Sequence, residues 1–212
     1  MKQLMQNVTV VSHPLLDHSL TALRDKHCTT AEFRHHAGIV SKILTIEATK
    51  GLHVVGKTVQ TPLSSFKGKK LKSDVVVVPV LRSGLAMLME LQDFLPAAVV
   101  GFIGLARDEK TAQAHEYYQN LPKIFASHTV LLIDPMLATG GSFIESLAML
   151  RAKGAKKITI ICIVSAPEGI KRVQQSYPDV HIYTAAIDNK LNDRKFIVPG
   201  LGDFGDRYFG TV

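Results

Sequence analysis

Residues 129–143, T-V-L-L-I-D-P-M-L-A-T-G-G-S-F, constrain the fold more than any other stretch of the chain. Val130 to Ile133 is an apolar run that stops at an acid, Asp134. Such a run suits a strand buried on both faces of a parallel sheet, which would deliver the acid at its end. The loop that follows closes on Ala138-Thr139-Gly140-Gly141-Ser142, and a helical pattern begins behind it. A helix N-terminus offers unpaired N–H groups and partial positive charge. Glycines there let the backbone approach a phosphate closely. An acid beside them can accept hydrogen bonds from sugar hydroxyls. The stretch therefore predicts a sugar-phosphate site. A strand, a glycine turn and a capped helix without function is the plain alternative. A Walker A loop is excluded, because no G-K-[ST] follows the glycines. The order strand, acid, loop, helix favours the sugar-phosphate reading.

The remaining chain repeats the strand–helix rhythm. Residues 8–12 form a short apolar run that ends before Pro14. Helical spacing follows over 14–24 and from Thr30 to Lys50, with Gly51 as a stop. Residues 52–66 read as irregular or strand-rich, and Lys67 to Lys72 as a basic loop. Val75 to Val80 is a second buried strand, followed by a helix from Leu85 to about Phe94 and a strand from Ala97 to Ala106. Residues 107–122 are polar and too long for an ordinary α/β connection, which predicts a hairpin arm or flap. A helix from Ser142 to Lys153 ends at Gly154, Ile158 to Ala166 is a strand, 168–176 is helical, and Val180 to Ala186 is a strand. The tail from Ile187 shows no helical pattern. The expectation is one α/β domain over residues 1–212, with a mainly parallel sheet flanked by helices. Ligands of such sheets bind beyond the carboxyl ends of the strands. Three strand ends carry charge there: Arg82, Arg107 and Asp134.

Composition narrows the partners. The net charge of +7 permits nucleic-acid binding or binding of a polyanionic small molecule. No helix-turn-helix, RNP or zinc-finger pattern supports nucleic acid, which is not expected. No stretch is apolar over a membrane-spanning length, and the amino-terminal residues lack the apolar core of a secretion signal. The two cysteines, Cys28 and Cys162, form neither a zinc spacing nor a disulfide framework. A cytoplasmic protein is expected. The adjacent His35 and His36 would point in different directions on a helix and read as surface residues.

Two further motifs concern phosphate and base. Leu81-Arg82-Ser83-Gly84 places an arginine after a buried strand, where a guanidinium fork could pair with phosphate oxygens. Gly200-x-Gly202-x-x-Gly205 matches a dinucleotide fingerprint in form only, because seven residues remain after Gly205 and no βαβ unit can follow. A glycine-rich turn exposing backbone N–H and C=O groups is the better reading. Such a turn can pair its donors and acceptors with the polar edge of a ligand, and a mismatched edge would leave buried groups unpaired, at roughly 1–3 kcal/mol each.

Residues 133–142 resemble the phosphoribosyl pyrophosphate (PRPP) loop of the type I phosphoribosyltransferases. That family usually carries two adjacent acids, and Pro135 replaces the second. The form D-P-M-L-A-T-G-G-S resembles the uracil phosphoribosyltransferase branch. The likeness continues in H-P-L-L-D-H-S-L-T at 13–21, P-V-L-R-S-G-L at 79–85, I-G-L-A-R-D-E-K-T at 103–111, E-Y-Y-Q-N-L-P at 116–122 and V-P-G-L-G-D-F-G-D-R-Y-F-G-T at 198–211.

The resemblance implies Mg²⁺-dependent transfer of phosphoribose from PRPP to uracil, giving UMP and pyrophosphate, with Mg²⁺ carried on PRPP. It implies that Arg82 and Arg107 contact pyrophosphate. Asp134, Pro135, Met136, Leu137, Ala138, Thr139, Gly140, Gly141 and Ser142 would hold the ribose phosphate. Ile197, Gly202, Asp203 and Phe204 would form a carboxyl-terminal hood over uracil, with Asp203 also near PRPP. It further implies a homodimer or higher homo-oligomer and, as in some bacterial members, GTP as an effector. Two departures stand out: the family usually has alanine at Ser83 and at Phe204. A phosphoribosyltransferase for another base, and a PRPP- or UMP-binding regulator or inactive homologue, are the alternative readings.

Overall fold

The computed structural model describes residues 7–72, 75–107 and 114–211. In chain order the elements are β1 (Val8–Val10), α1 (Pro14–Arg24), α2 (Thr30–Thr49), β2 (Val54–Gln60), β3 (Ser65–Leu71), β4 (Val75–Leu81) and α3 (Gly84–Phe94). Next come β5 (Val99–Val100), β6 (Phe102–Arg107), β7 (Ala114–Asn120), β8 (Thr129–Ile133), β9 (Met136–Leu137) and α4 (Gly141–Ala152). The chain ends with β10 (Lys157–Ser165), α5 (Pro167–Ser176), β11 (His181–Ile187), β12 (Lys190–Leu191), β13 (Ile197–Val198) and α6 (Phe204–Phe209).

The main sheet runs β1-β11-β10-β8-β4-β6-β7, parallel throughout except for the antiparallel β6–β7 edge. Its central strands are buried on both faces, and alternate residues serve opposite layers. Val77, Leu131, Ile133, Ile161 and Ile163 face a layer built from α1, α2, α3 and α6. Val76, Val78, Val130, Leu132, Ile160 and Cys162 face α4 and α5. This is the three-layer α/β arrangement that the apolar runs predict.

Local chemistry explains the helix boundaries. His13 caps α1 through its ring nitrogen, with Pro14 in the first turn. Thr29 and Glu32 form a reciprocal capping box at the start of α2. Gly154 follows α4 with a φ of 94°, as its expected stop requires.

Three expectations change. Lys67 to Lys70 lie in a strand, not a loop: β2 and β3 pair in register from Val54↔Leu71 to Gln60↔Ser65, forming a two-stranded hairpin separate from the main sheet. The apolar run over 97–106 is interrupted at Gly101 and splits into β5 and β6, both paired with β4. The tail does contain a helix, α6. Its start is capped by the Asp203 carboxylate, which accepts from the Asp206 amide at 3.0 Å. Of the hairpin arm or flap predicted over 107–122, β7 pairs antiparallel with β6, and residues 108–113, including Asp108 and Glu109, lie outside the described residues.

Phe204 anchors α6. Its ring is 2% exposed, edge-on to Phe33 and stacked on Tyr208. Phe204→Ala should therefore cost about 3–5 kcal/mol of stability, as expected for emptying a packed aromatic site. Urea unfolding measures this; an unchanged midpoint would show that α6 does not depend on the ring.

Candidate active site

β8 ends at Ile133, opposite Pro79 near the end of β4 and opposite Ile161 of β10, which runs on to Ser165 and pairs with β9 beyond Pro135. Asp134 follows Ile133, almost fully buried, and accepts a hydrogen bond from the Ser83 hydroxyl at 2.7 Å. The approach of these two loops depends on Gly84. A Cβ at that position would lie 2.7 Å from the Ile133 carbonyl and 3.0 Å from the Pro79 side chain. Only glycine lets α3 start against the end of β8, and that start brings Ser83 to Asp134.

The phosphate-loop residues continue from there. Gly140 is the N-cap of α4, in the left-handed region at φ 79°. The amide of Gly141 approaches the Thr139 hydroxyl at 3.5 Å. α4 then buries Phe143, Leu147 and Leu150, spaced four and three residues apart, so its N-terminus is fixed from below. Gly169 of α5 packs directly on the loop: a Cβ there would come within 2.3 Å of the Ala138 carbonyl.

A cavity of about 430 Å³ unites these parts. Arg82 and Ser83 line one side, Asp134, Met136 and the 138–142 loop line the floor, and Ile197, Gly202, Asp203 and Phe204 line the far side. Pro135 and Leu137 lie behind the loop instead. The Pro135 carbonyl accepts from the amides of Ile163 and Val164, and Leu137 is fully buried. Arg107 closes β6. Phe204 meets the cavity from α6 while its ring packs into the core. Lys195 and Phe196 also line the cavity, and no local sequence signal marks them. They reach it because β12 and β13 fold the tail back as a short antiparallel pair.

Burial pushes the Asp134 carboxyl up to about 7, against the opposing pull of the Ser83 hydroxyl and the Met136 amide; the charge of Asp203 adds a smaller upward push. Burial likewise pushes the Cys162 thiol up to about 12, so Cys162 is an inert core residue, as its apolar surroundings predict. Among the described residues no group of three or more His, Cys, Asp or Glu side chains could hold a metal ion, and no helix is long and apolar enough to cross a membrane.

An acid at a buried strand end, a glycine loop opening a helix, an arginine loop and a glycine turn surround one cavity, in a fold of the type I phosphoribosyltransferase class. An adenine phosphoribosyltransferase of Trypanosoma brucei, solved with AMP, pyrophosphate and ribose 5-phosphate, superposes with a TM-score of 0.59, covering 87% of this chain and 85% of that one at 14% identity. A solved Aquifex aeolicus protein superposes with a TM-score of 0.91 at 34% identity, over 95% of this chain and 97% of that one. Residues 10–211 match the family model for uracil phosphoribosyltransferase. The uracil phosphoribosyltransferase of Campylobacter concisus is 48% identical over 208 residues, 98% of this chain and all of the relative. The chain belongs to the uracil phosphoribosyltransferase family.

The raised Asp134 carboxyl has a measurable consequence. In the folded chain it stays protonated at a pH where its unfolded counterpart, at about 3.9, is already ionised. Its contribution to stability is then greatest at low pH and is lost as pH rises from about 4 to about 7. Asp134→Asn should remove this fall, and Ser83→Ala, which takes a hydrogen bond from the charged form, should carry it to higher pH. Urea midpoints across that range measure both; an Asp134→Asn profile parallel to the parent's would overturn the assignment.

Proposed function

We propose that this chain transfers the phosphoribosyl group of PRPP to N1 of uracil, releasing pyrophosphate and forming UMP, as a single-domain cytoplasmic enzyme whose active site is the cavity over Asp134. One observation carries the reading: the Asp134 loop, Arg82 and the 197–204 turn, distant in sequence, line the same cavity.

In this reading the 138–142 amides and the α4 N-terminus bind the 5-phosphate. Asp134 accepts hydrogen bonds from the ribose hydroxyls. These contacts favour its ionised form, so sugar binding below about pH 7 releases a proton. Arg82 and Arg107 stabilise the charge that develops on the departing pyrophosphate. The ribose passes through an oxocarbenium-like state and inverts at C1, so no covalent nucleophile is required. The backbone around Ile197 and Gly202 reads the uracil edge, and Asp203 orients the base or accepts its N1 proton. Mg²⁺ fits as a passenger on PRPP: two carboxylates, Asp134 and Asp203, lie at the cavity, the number that a phosphate-bound magnesium ion typically uses. When bound it neutralises pyrophosphate charge. The core position of the Phe204 ring favours a base edge read by backbone groups and counts against an inactive homologue.

The test is pyrophosphate release from PRPP with each nucleobase in turn. Uracil alone should support turnover, and Asp134→Ala should abolish it with the fold retained. Turnover with a purine or orotate would overturn the base assignment, and PRPP binding without pyrophosphate release would favour a regulator. GTP belongs to the same proposal as an effector, tested by its effect on this rate.

Homo-oligomerisation is supported by the β2–β3 hairpin. It stands apart from the main sheet and carries exposed Val54, Leu63, Phe66 and Leu71, with Leu63 95% and Phe66 57% exposed. A second copy of the chain is the occupant we assign to this surface. Replacing both Leu63 and Phe66 with Ser should shift sedimentation toward the monomer; unchanged assembly would remove the hairpin from the interface.

A further inference from the structure

The glycine turn that faces the cavity is held from behind by an ion pair that does not itself reach the cavity. Asp188 follows β11 directly, and its amide donates to the Ser165 carbonyl at 2.8 Å, fixing it to the end of β10. Its carboxylate is nearly fully buried. One oxygen accepts from the Gly200 amide at 2.8 Å and from Arg24 Nη1 at 2.8 Å; the other accepts from Arg24 Nη2 at 2.6 Å. The same Arg24 Nη1 also donates to the Gly200 carbonyl at 2.8 Å. Arg24 and Asp188 therefore satisfy both the N–H and the C=O of Gly200.

Gly200 sits at φ 61°, where a Cβ would lie 2.2 Å from the Ile197 carbonyl. The turn is tight, and its neighbours on either side, Ile197 and Gly202, line the cavity. The peptide planes on that wall are set by a residue whose two polar groups belong to the ion pair. A second arginine holds the next residue: Arg207 Nη1 donates to the Leu201 carbonyl at 2.6 Å, and its Nη2 to the Asp25 carbonyl at 2.6 Å. The phosphate floor, Asp134 and residues 138–142, takes no hydrogen bond from these groups among the described residues.

We propose that Asp188 and Arg24 are positioning residues for base recognition, which fix the Gly200 peptides so that the 197–202 backbone presents its donors and acceptor to uracil. This rests on the reading that the turn binds the base. An asparagine at 188 keeps the shape of the side chain but turns an N–H toward Gly200 or Arg24, so the turn loses one of its anchors. Lysine at 24 keeps the charge without the planar fork.

The test is steady-state kinetics of Asp188→Asn and Arg24→Lys with uracil and PRPP varied separately. Asp188→Asn should raise KM for uracil about tenfold or more, the scale of a lost hydrogen bond to a charged group, with KM for PRPP little changed. Arg24→Lys should rise less, and it carries the same expectation if Asp188→Asn does not fold. Val180→Ala, a buried variant between α5 and β11, controls for general loosening and should leave both KM values unchanged despite a lower melting temperature. Parallel rises in both KM values, or no rise for uracil, would overturn the inference. Photocrosslinking of 5-bromouracil to the parent chain separates the two readings. Crosslinks outside residues 196–205 would sink the base site itself; crosslinks within that range, together with an unmoved uracil KM, would sink only the positioning role.

Discussion

The structure depends on the desolvation of one carboxylate. β8 is covered on both faces, so the first residue that can carry chemistry is the one after its end, and that residue is an acid. Placing Asp134 there costs free energy, visible in a carboxyl pushed up to about 7. The surroundings offset the cost only in part, through the Ser83 hydroxyl and the Met136 amide. A partly compensated buried acid is poised to gain from hydroxyl donors that a ligand brings. In the proposed reading, the free-energy cost of burying Asp134 and its gain from sugar hydroxyls have the same origin.

That logic explains why the supporting glycines sit where they do. Gly84 lets α3 begin against β8, and without that approach Ser83 could not reach Asp134. Gly169 lets α5 press on the loop carbonyl at Ala138, holding the start of α4 in place. Neither requirement arises from a positive φ; both come from close approach between elements far apart in sequence. The Asp134 half of the cavity is thus built where α3 and α5, from opposite faces of the sheet, meet the end of β8 and the loop behind it.

Most of this half was legible in the sequence. Continuous valine and isoleucine runs have few alternatives to strands buried on both faces, and their ends announce themselves by Asp134 and Arg82. The half lined by residues 195–205 was less legible. Lys195 and Phe196 reach the cavity only because Asp188, Arg24 and Gly200 fold the tail back, a long-range arrangement with no local pattern. α6 is six residues long, and its signal was the pair Phe204 and Tyr208, four positions apart. The β3 strand was hidden because its lysines satisfy no two-period apolar pattern. It exists through pairing with β2 across a turn in which the Thr61 hydroxyl accepts from the amides of Leu63 and Ser64.

Phe204 shows how a departure from a family pattern can be absorbed by packing. From the sequence, an aromatic ring beside the base turn raises a question of substrate fit. In the fold, the ring belongs to a stack with Phe33 and Tyr208, and the Arg207 guanidinium lies 4.4 Å from the centre of the Phe33 ring. The same Arg207 holds the Leu201 carbonyl of the turn. A larger side chain at 204 therefore adds apolar contact to Phe33, over whose ring the Arg207 guanidinium lies, while Arg207 holds the turn by its backbone. Selectivity built from backbone groups tolerates such side-chain change, provided that the peptides keep their orientation. In this chain the peptides of Gly200 and Leu201 are held by three charged side chains, Arg24, Asp188 and Arg207.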